Sequence, residues 1–262
     1  MNKMKNIWRT VLLCTGGVLL AACIVCSFLY GRSQRGGIVC RKIEVHVQDS
    51  LDIRFISSGE IVRTIRKEYG KCVGMQLDSI DLVKIEALID RKSAVLKSQA
   101  YTTRDSVLHI EVTQRKPLVR FQRGNSGFYA DEEGYVFPLQ STYAPHIQIV
   151  DGNIPVKVAD GHKGKIDDPK SRKWLMDMIG MVRHIESDKD WKRIIVQIHV
   201  NEDGDIVLVP REGQEKFIFG YPDHLEEKFG KFRKYYTAII PKAGKERYTV
   251  VDLRYKGQII CK

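Results

Sequence analysis

Apolar positions fall into distinct spacings along this chain, and each spacing predicts a different element. Thr10 to Gly31, TVLLCTGGVLLAACIVCSFLYG, is a run of 22 residues with no charge between Arg9 and Arg32. A helix of that length, rising ~1.5 Å per residue, reaches roughly 33 Å and crosses a hydrocarbon layer of about 30 Å. Backbone groups in lipid must be satisfied within the segment, so a lone span is helical. Beyond it the spacing changes to two. Ile43, Val45 and Val47 alternate with Glu44, His46 and Gln48, the period of a half-buried strand with His46 on the wet side. Ser57-Ser58-Gly59-Glu60 has capping-box spacing, and Ile61, Ile65 and Tyr69 follow at steps of four before Gly70 stops the helix. A second helix is predicted from Ser79 to about Arg91, with Leu82, Ile85 and Ile89 on one face. Val95 to Tyr101 and Val107 to Val112 flank a polar turn at Arg104-Asp105-Ser106. The order strand, helix, helix, strand, strand predicts a three-stranded sheet with two helices on one face.

Pro117 has no amide donor for a ladder and marks where that first sheet ends. The pattern from Leu118 onward is strongly β. Strands are predicted at Leu118–Arg123, Gly127–Ala130, Tyr135–Pro138, Ile147–Val150, Ile194–Val200, Asp205–Val209 and Glu215–Phe219. Asp131-Glu132-Glu133-Gly134 reads as a solvated hairpin tip, because three adjacent acids lack the alternating spacing of a calcium loop. Asn153 to Asp167 reads as loop. Asp168-Pro169 starts a helix whose buried face carries Leu175, Met178, Val182 and Ile185. Asp223 with Glu226 is predicted to cap another helix, on which Leu225, Phe229, Phe232, Tyr236 and Ile239 form one apolar stripe while Lys228, Lys231 and Lys234 take the wet faces. Tyr248–Tyr255 is the penultimate strand. Lys256-Gly257 turns into Gln258–Cys261, an apolar strand with neither charge nor proline to blunt it, predicted at a sheet edge and open to strand addition.

The fold class predicted is α+β: a tail at 1–9, a transmembrane helix at 10–31, a linker at 32–42, the β-α-α-β-β domain at 43–116, and a mainly antiparallel β domain with two helices at 117–262. Charge modifies this picture little. The net charge of +11 is high, but its basic residues are dispersed. In the one cluster where aromatics interleave with Lys and Arg, helical spacing accounts for them without nucleic acid.

Two other readings compete for the apolar run. Lys3, Lys5 and Arg9 ahead of it suit a cleaved signal, and Leu20-Ala21-Ala22-Cys23 has the form of a lipobox that places a lipid on Cys23 of an envelope lipoprotein with a generic binding module. Against both, Ile24, Val25, Phe28, Leu29 and Tyr30 continue the run where polar sequence normally begins. Basic residues flank both ends, so they do not choose an orientation; long domains translocate regardless, which predicts an inside tail and an exported bulk. Cys40, Cys72 and Cys261 outside the run make no disulfide framework. The histidines at 46, 109, 146, 162, 184, 199 and 224 show neither chelating pairs nor a nucleophile elbow, and no glycine-rich phosphate loop is present. No catalytic residue, cofactor, metal or small-molecule substrate is nominated.

The element order after a single anchor resembles the POTRA domain. Val112-Thr113-Gln114-Arg115-Lys116-Pro117-Leu118-Val119 resembles the junction that follows POTRA in the bacterial division protein family FtsQ (DivIB), although Gln114 stands where an acid is usual. Tyr129 to Phe137 is similar to that family's hairpin, Phe217-Ile218-Phe219-Gly220 to its strand-Gly-helix element, and Val251-Asp252-Leu253-Arg254-Tyr255 to the strand that ends its β domain. The resemblance covers nearly the whole chain. It implies a non-enzymatic, single-pass component of the bacterial inner membrane at the division site, supporting septum assembly. It also implies docking of small partners of the FtsB and FtsL type by strand addition, which places Tyr255, Lys256, Gly257, Gln258, Ile259 and Ile260 at the contact. The POTRA half is implied in recruitment.

Overall fold

The computed structural model describes residues 17, 19–27, 29, 37–49, 53–244 and 247–262. Most of the flanks of the predicted span at 10–31, and the linker residues 32–36, lie outside them. Residues 19–27 are helical. Among the described residues no helix is long and apolar enough to cross a membrane. The chain divides into two compact units, one of residues to Ser50 with Ile56–Gln114, the other of Leu51–Phe55 with Arg115–Lys262.

The first unit is built from β1 (Lys42–Val47), α1 (Ser58–Glu68), a 3-10 turn (Leu77–Ser79), α2 (Leu82–Asp90), β2 (Val95–Thr102) and β3 (Val107–Gln114). Its sheet runs β1-β3-β2, with β1 parallel to β3 from Lys42↔Val107 to Val47↔Val112 and β2 antiparallel to β3. Ile61, Ile65, Ile85 and Ile89 of the helices are buried, as are Leu108, Ile110 and Val112 of β3. Ser57 caps α1, its hydroxyl accepting from the Glu60 amide at 3.2 Å. The Glu60 carboxylate does not complete the box but bonds Lys92 at 2.6 Å. The second helix starts later than Ser79: Asp81 is its cap, accepting from the Lys84 amide at 3.0 Å, and Ser79 closes the 3-10 turn on the Gln76 carbonyl. The free edge of β2 is covered by α2, whose Glu86 carboxylate accepts from the Ala100 amide at 2.6 Å. Gln114 is buried; its side-chain oxygen accepts from the Ile56 amide at 3.0 Å and its nitrogen donates to the Gln48 carbonyl at 3.3 Å. An amide does both, whereas an ionised acid has no proton to give the carbonyl. That is the physical content of the departure at this position.

The second unit carries a nine-stranded sheet in the order β12-β11-β10-β9-β8-β7-β4-β5-β6. Its strands are β4 (Pro117–Arg123), β5 (Ser126–Asp131), β6 (Val136–Pro138), β7 (Gln148–Gly152), β8 (Ile195–Val200), β9 (Ile206–Pro210), β10 (Lys216–Gly220), β11 (Val250–Asp252) and β12 (Ile260–Cys261). Its helices are α3 (Pro169–Ser187), α4 (Lys189–Ile194), α5 (Leu225–Lys234), a π-helical turn at Tyr235–Ile239 and α6 (Ile240–Ala243). Five of the eight strand pairings are antiparallel, as expected, but the domain has more than the two helices predicted and three of its pairings are parallel. The sheet is mixed, with β4–β7, β7–β8 and β10–β11 parallel. Helices account for two of these pairs: α3 and α4 join β7 to β8 and α5 joins β10 to β11, and a helical crossover returns the chain in the same direction, whereas β7 comes to lie beside β4 after β5 and β6. Asp168 caps α3 by accepting from the Ser171 amide at 2.8 Å, with Pro169 in the first turn as expected. Leu175, Met178 and Val182 of α3 and Phe229 and Phe232 of α5 bury against Phe121, Ile198, Leu208 and Phe217 of the sheet.

The acids at the β5–β6 tip are not all solvated. Asp131 is buried, bonded to Arg115 at 2.9 Å, and it accepts the amides of Glu133 and Tyr135. Arg115 in turn lies 3.4 Å from the Tyr135 ring. Asp131 is thus the brace of its own turn, and only Glu132 and Glu133 face water.

Candidate partner-docking edge

The β12 end of the large sheet is set by how α5 meets it. α5 fills the crossover between parallel β10 and β11, so its first turns lie near the chain segments leaving both strands. The helix does not begin on the predicted Asp223 cap. Its cap residue is His224, left-handed at φ 47° with no side-chain cap bond, while Asp223 accepts from Lys228 Nζ at 2.6 Å.

Lys228 and Lys231 are not on wet faces: each is 6% exposed. Their spacing of three puts them beside the Phe229 and Phe232 stripe, and both ammonium groups reach across to loop carbonyls. Lys228 Nζ donates to the Tyr221 carbonyl at 2.8 Å and lies 5.0 Å from the Phe219 ring. Lys231 Nζ donates to the carbonyls of Leu253 at 2.6 Å and Tyr255 at 2.8 Å and pairs with Glu227 at 3.3 Å. Glu227 also accepts the Gly257 amide at 3.0 Å. That amide bond and Lys231 hold the Glu227 carboxyl below its ordinary range.

Asp252 and Arg254 set the other side of the loop. The Arg254 guanidinium donates to both Asp252 oxygens, Nη2 at 2.6 Å and Nε at 3.0 and 3.2 Å, and its Nη1 reaches Asp205 at 2.7 Å. Burial alone raises the Asp252 pKa, but the bonds and charge of Arg254 outweigh it and hold the group low. Gly220 makes room for this stem. It is left-handed at φ 76°, and a Cβ there sits 2.8 Å from Arg254 Cγ.

The predicted contact residues spread over a turn and a short strand. The penultimate strand is Val250–Asp252, not Tyr248–Tyr255: Leu253 still donates its amide to the Ile218 carbonyl at 2.9 Å, but its own carbonyl and that of Tyr255 go to Lys231. Tyr255, Lys256, Gly257 and Gln258 form an exposed turn, with Gly257 at φ 68° and the Gln258 amide on the Tyr255 carbonyl at 3.3 Å. The last strand is Ile260–Cys261, shorter than the Gln258–Cys261 expected, pairing antiparallel as Val251↔Cys261 and Asp252↔Ile260. Ile259 and Cys261 pack against the core while half exposed. On its far side β12 has no strand partner among the described residues. The opposite edge is different: β6 ends at Pro138, and Val136 is bridged to Gly164.

Sequence reasoning missed Lys231 and Glu227. The signal was present: 228, 231 and 235 continue a second helical row beside 225, 229, 232 and 236, and Tyr235 is buried. Among the described residues no group of three His, Cys, Asp or Glu side chains is arranged to hold a metal. His184 is stacked on Phe229 at 4.5 Å.

Comparison with known proteins gives two family matches. Residues 38–113 match a POTRA-like domain, and residues 116–262 match the family described as FtsQ/DivIB, C-terminal related. No curated protein matches the chain. The second match spans more than half of the sequence, and the chain belongs to the FtsQ/DivIB family of bacterial division proteins.

Proposed function

We propose that this chain is a non-enzymatic scaffold of the bacterial division machinery that captures small partners of the FtsB and FtsL type by strand addition at β12. The observation that carries the reading is the sheet order, which among the described residues leaves one side of β12 unpaired at a terminal position. An incoming strand gains main-chain hydrogen bonds there and side-chain contacts from Ile259 and Ile260, with Tyr255, Lys256, Gly257 and Gln258 at the rim. The family is one of division proteins without an enzymatic role. We further propose that residues 10–31 tether the scaffold to the inner membrane with the bulk exported. Supporting this, Leu19, Leu20, Ile24, Val25 and Leu29 lie exposed on helical positions, the faces lipid covers. An intact mass that begins at Met1 excludes the alternative of lipid on Cys23.

The test is capture of the FtsB-type protein encoded in the same genome. Ile259→Lys, or deletion of 257–262, is expected to weaken capture about hundredfold, the scale of two or three neutral main-chain hydrogen bonds and one apolar side chain lost at the edge. The folded state of each variant is checked by its urea midpoint. A folded truncation that captures the partner as well as the intact chain ends the docking assignment.

A further inference from the structure

The edge strand is short. β12 has two residues and two register pairs, Lys262 adds backbone bonds to Thr249 and Val250, and the turn before the strand is exposed. Short exposed edges open locally at low free energy. Yet the segment that feeds β12 is held at several points by one helix. The ammonium of Lys231 has three donor hydrogens. The structure gives it three acceptors, Leu253 O, Tyr255 O and Glu227 Oε1, at 2.6, 2.8 and 3.3 Å. Glu227, four residues earlier on the same helix, takes the Gly257 amide at 3.0 Å. One buried cation and one acid therefore grip residues 253, 255 and 257 in succession.

We propose that Lys231 and Glu227 of α5 are positioning residues for the docking strand, gripping the 253–257 turn so that β12 is presented in a fixed register before any partner arrives. The inference rests on the docking reading above for its purpose, but not for its physics. An unbraced edge loses freedom on binding, and ordering it in advance strengthens association by removing that loss. The surroundings argue against a purely generic role for the lysine. The neighbouring Lys228, also buried, grips a loop carbonyl after β10 and has no bond to the 253–262 segment. It serves as the internal control: same helix, same burial, different loop.

Amide hydrogen exchange on the partner-free, full chain tests the brace. Lys231→Met keeps the stem and removes the charge. It is expected to speed exchange at residues 257–261 at least about tenfold relative to β8 and β9, since two charge-assisted carbonyl bonds and the Glu227 pairing are lost together. Lys231→Arg is expected to recover part of that protection. Lys228→Met is expected to leave the ratio unchanged, although it lowers overall stability. Glu227 is more exposed, so Glu227→Ala is the variant least prone to misfolding, and a rise of about threefold at residues 257–261 is expected. If Lys231→Met does not fold, Glu227→Ala decides. An unchanged edge-to-centre ratio in a folded Lys231→Met or, failing that, in Glu227→Ala overturns the brace. Capture of the same FtsB-type chain is then compared among intact, Glu227→Ala and 257–262-deleted forms. Equal capture by the deleted form overturns the docking reading while leaving a positive exchange result standing, so the two failures are told apart.

Discussion

Phe232→Ala will destabilise the second unit by about 3–5 kcal/mol, the range for truncating a fully buried phenylalanine. The ring is fully buried, with Phe217 at 4.0 Å, Trp191 at 4.9 Å and Tyr236 at 5.6 Å between centroids. These partners come from β10, from α4 and from the π turn, so no single segment can relax into the vacated space. A stable remnant cavity is what makes such losses large. Phe232→Leu keeps most of the volume and is expected to lose about 1–1.5 kcal/mol. The measurement is the urea midpoint at constant slope. A loss under about 1 kcal/mol for the alanine variant means the cluster collapses freely and is not rigid.

Asp252→Asn is expected to lower stability at neutral pH by about 1.5–3 kcal/mol, the value of hydrogen bonds to a charged group. Asp252 is 8% exposed and takes most of the Arg254 guanidinium. Its pKa in the folded chain lies below the ordinary 3.8. A carboxyl depressed on folding contributes stability that is fully present above its unfolded pKa and is lost as pH falls through the folded value. The gap between wild type and Asp252→Asn should therefore be constant from pH 7 to about 5 and close below about 4. Denaturation midpoints across that range measure it. A gap that persists undiminished well below pH 3 shows that the carboxylate charge is not what Arg254 recognises.

Much of the fold was legible from residue order. Alternation in β1 and β3, the Ser57 and Asp168-Pro169 helix starts and the turn glycines carry local information that tertiary packing did not overrule. What escaped was non-local. Periodicity marks which face of a strand is buried but not whether its neighbour runs parallel, so the crossovers through α3 and α5 were read as interruptions of an antiparallel sheet. Lys228 and Lys231 escaped because lysine is rarely buried without partners, and besides the nearby acids Asp223 and Glu227 their partners are carbonyls 7 to 24 residues away. Asp131 escaped for the same reason, its partner Arg115 being 16 positions earlier. The edge strand β12 was legible as an apolar, unblunted segment, but its length was not. The strand before it ends where the carbonyls of Leu253 and Tyr255 turn to Lys231, a side chain on another element.

The parallel pairing of β1 with β3 has a mechanical consequence. β1 begins at Lys42 and β3 hands the chain on at Gln114, and in a parallel pair those two points lie at opposite ends. Tension applied between them slides one strand along the other, so the six register pairs from Lys42↔Val107 to Val47↔Val112 carry load together and do not open one by one. Pulling instead between residues 42 and 107, at the same end, peels the pair sequentially and should need far less force. A single-molecule stretch in the two geometries measures the difference, and equal rupture forces would remove this unit from the role of a load-bearing link.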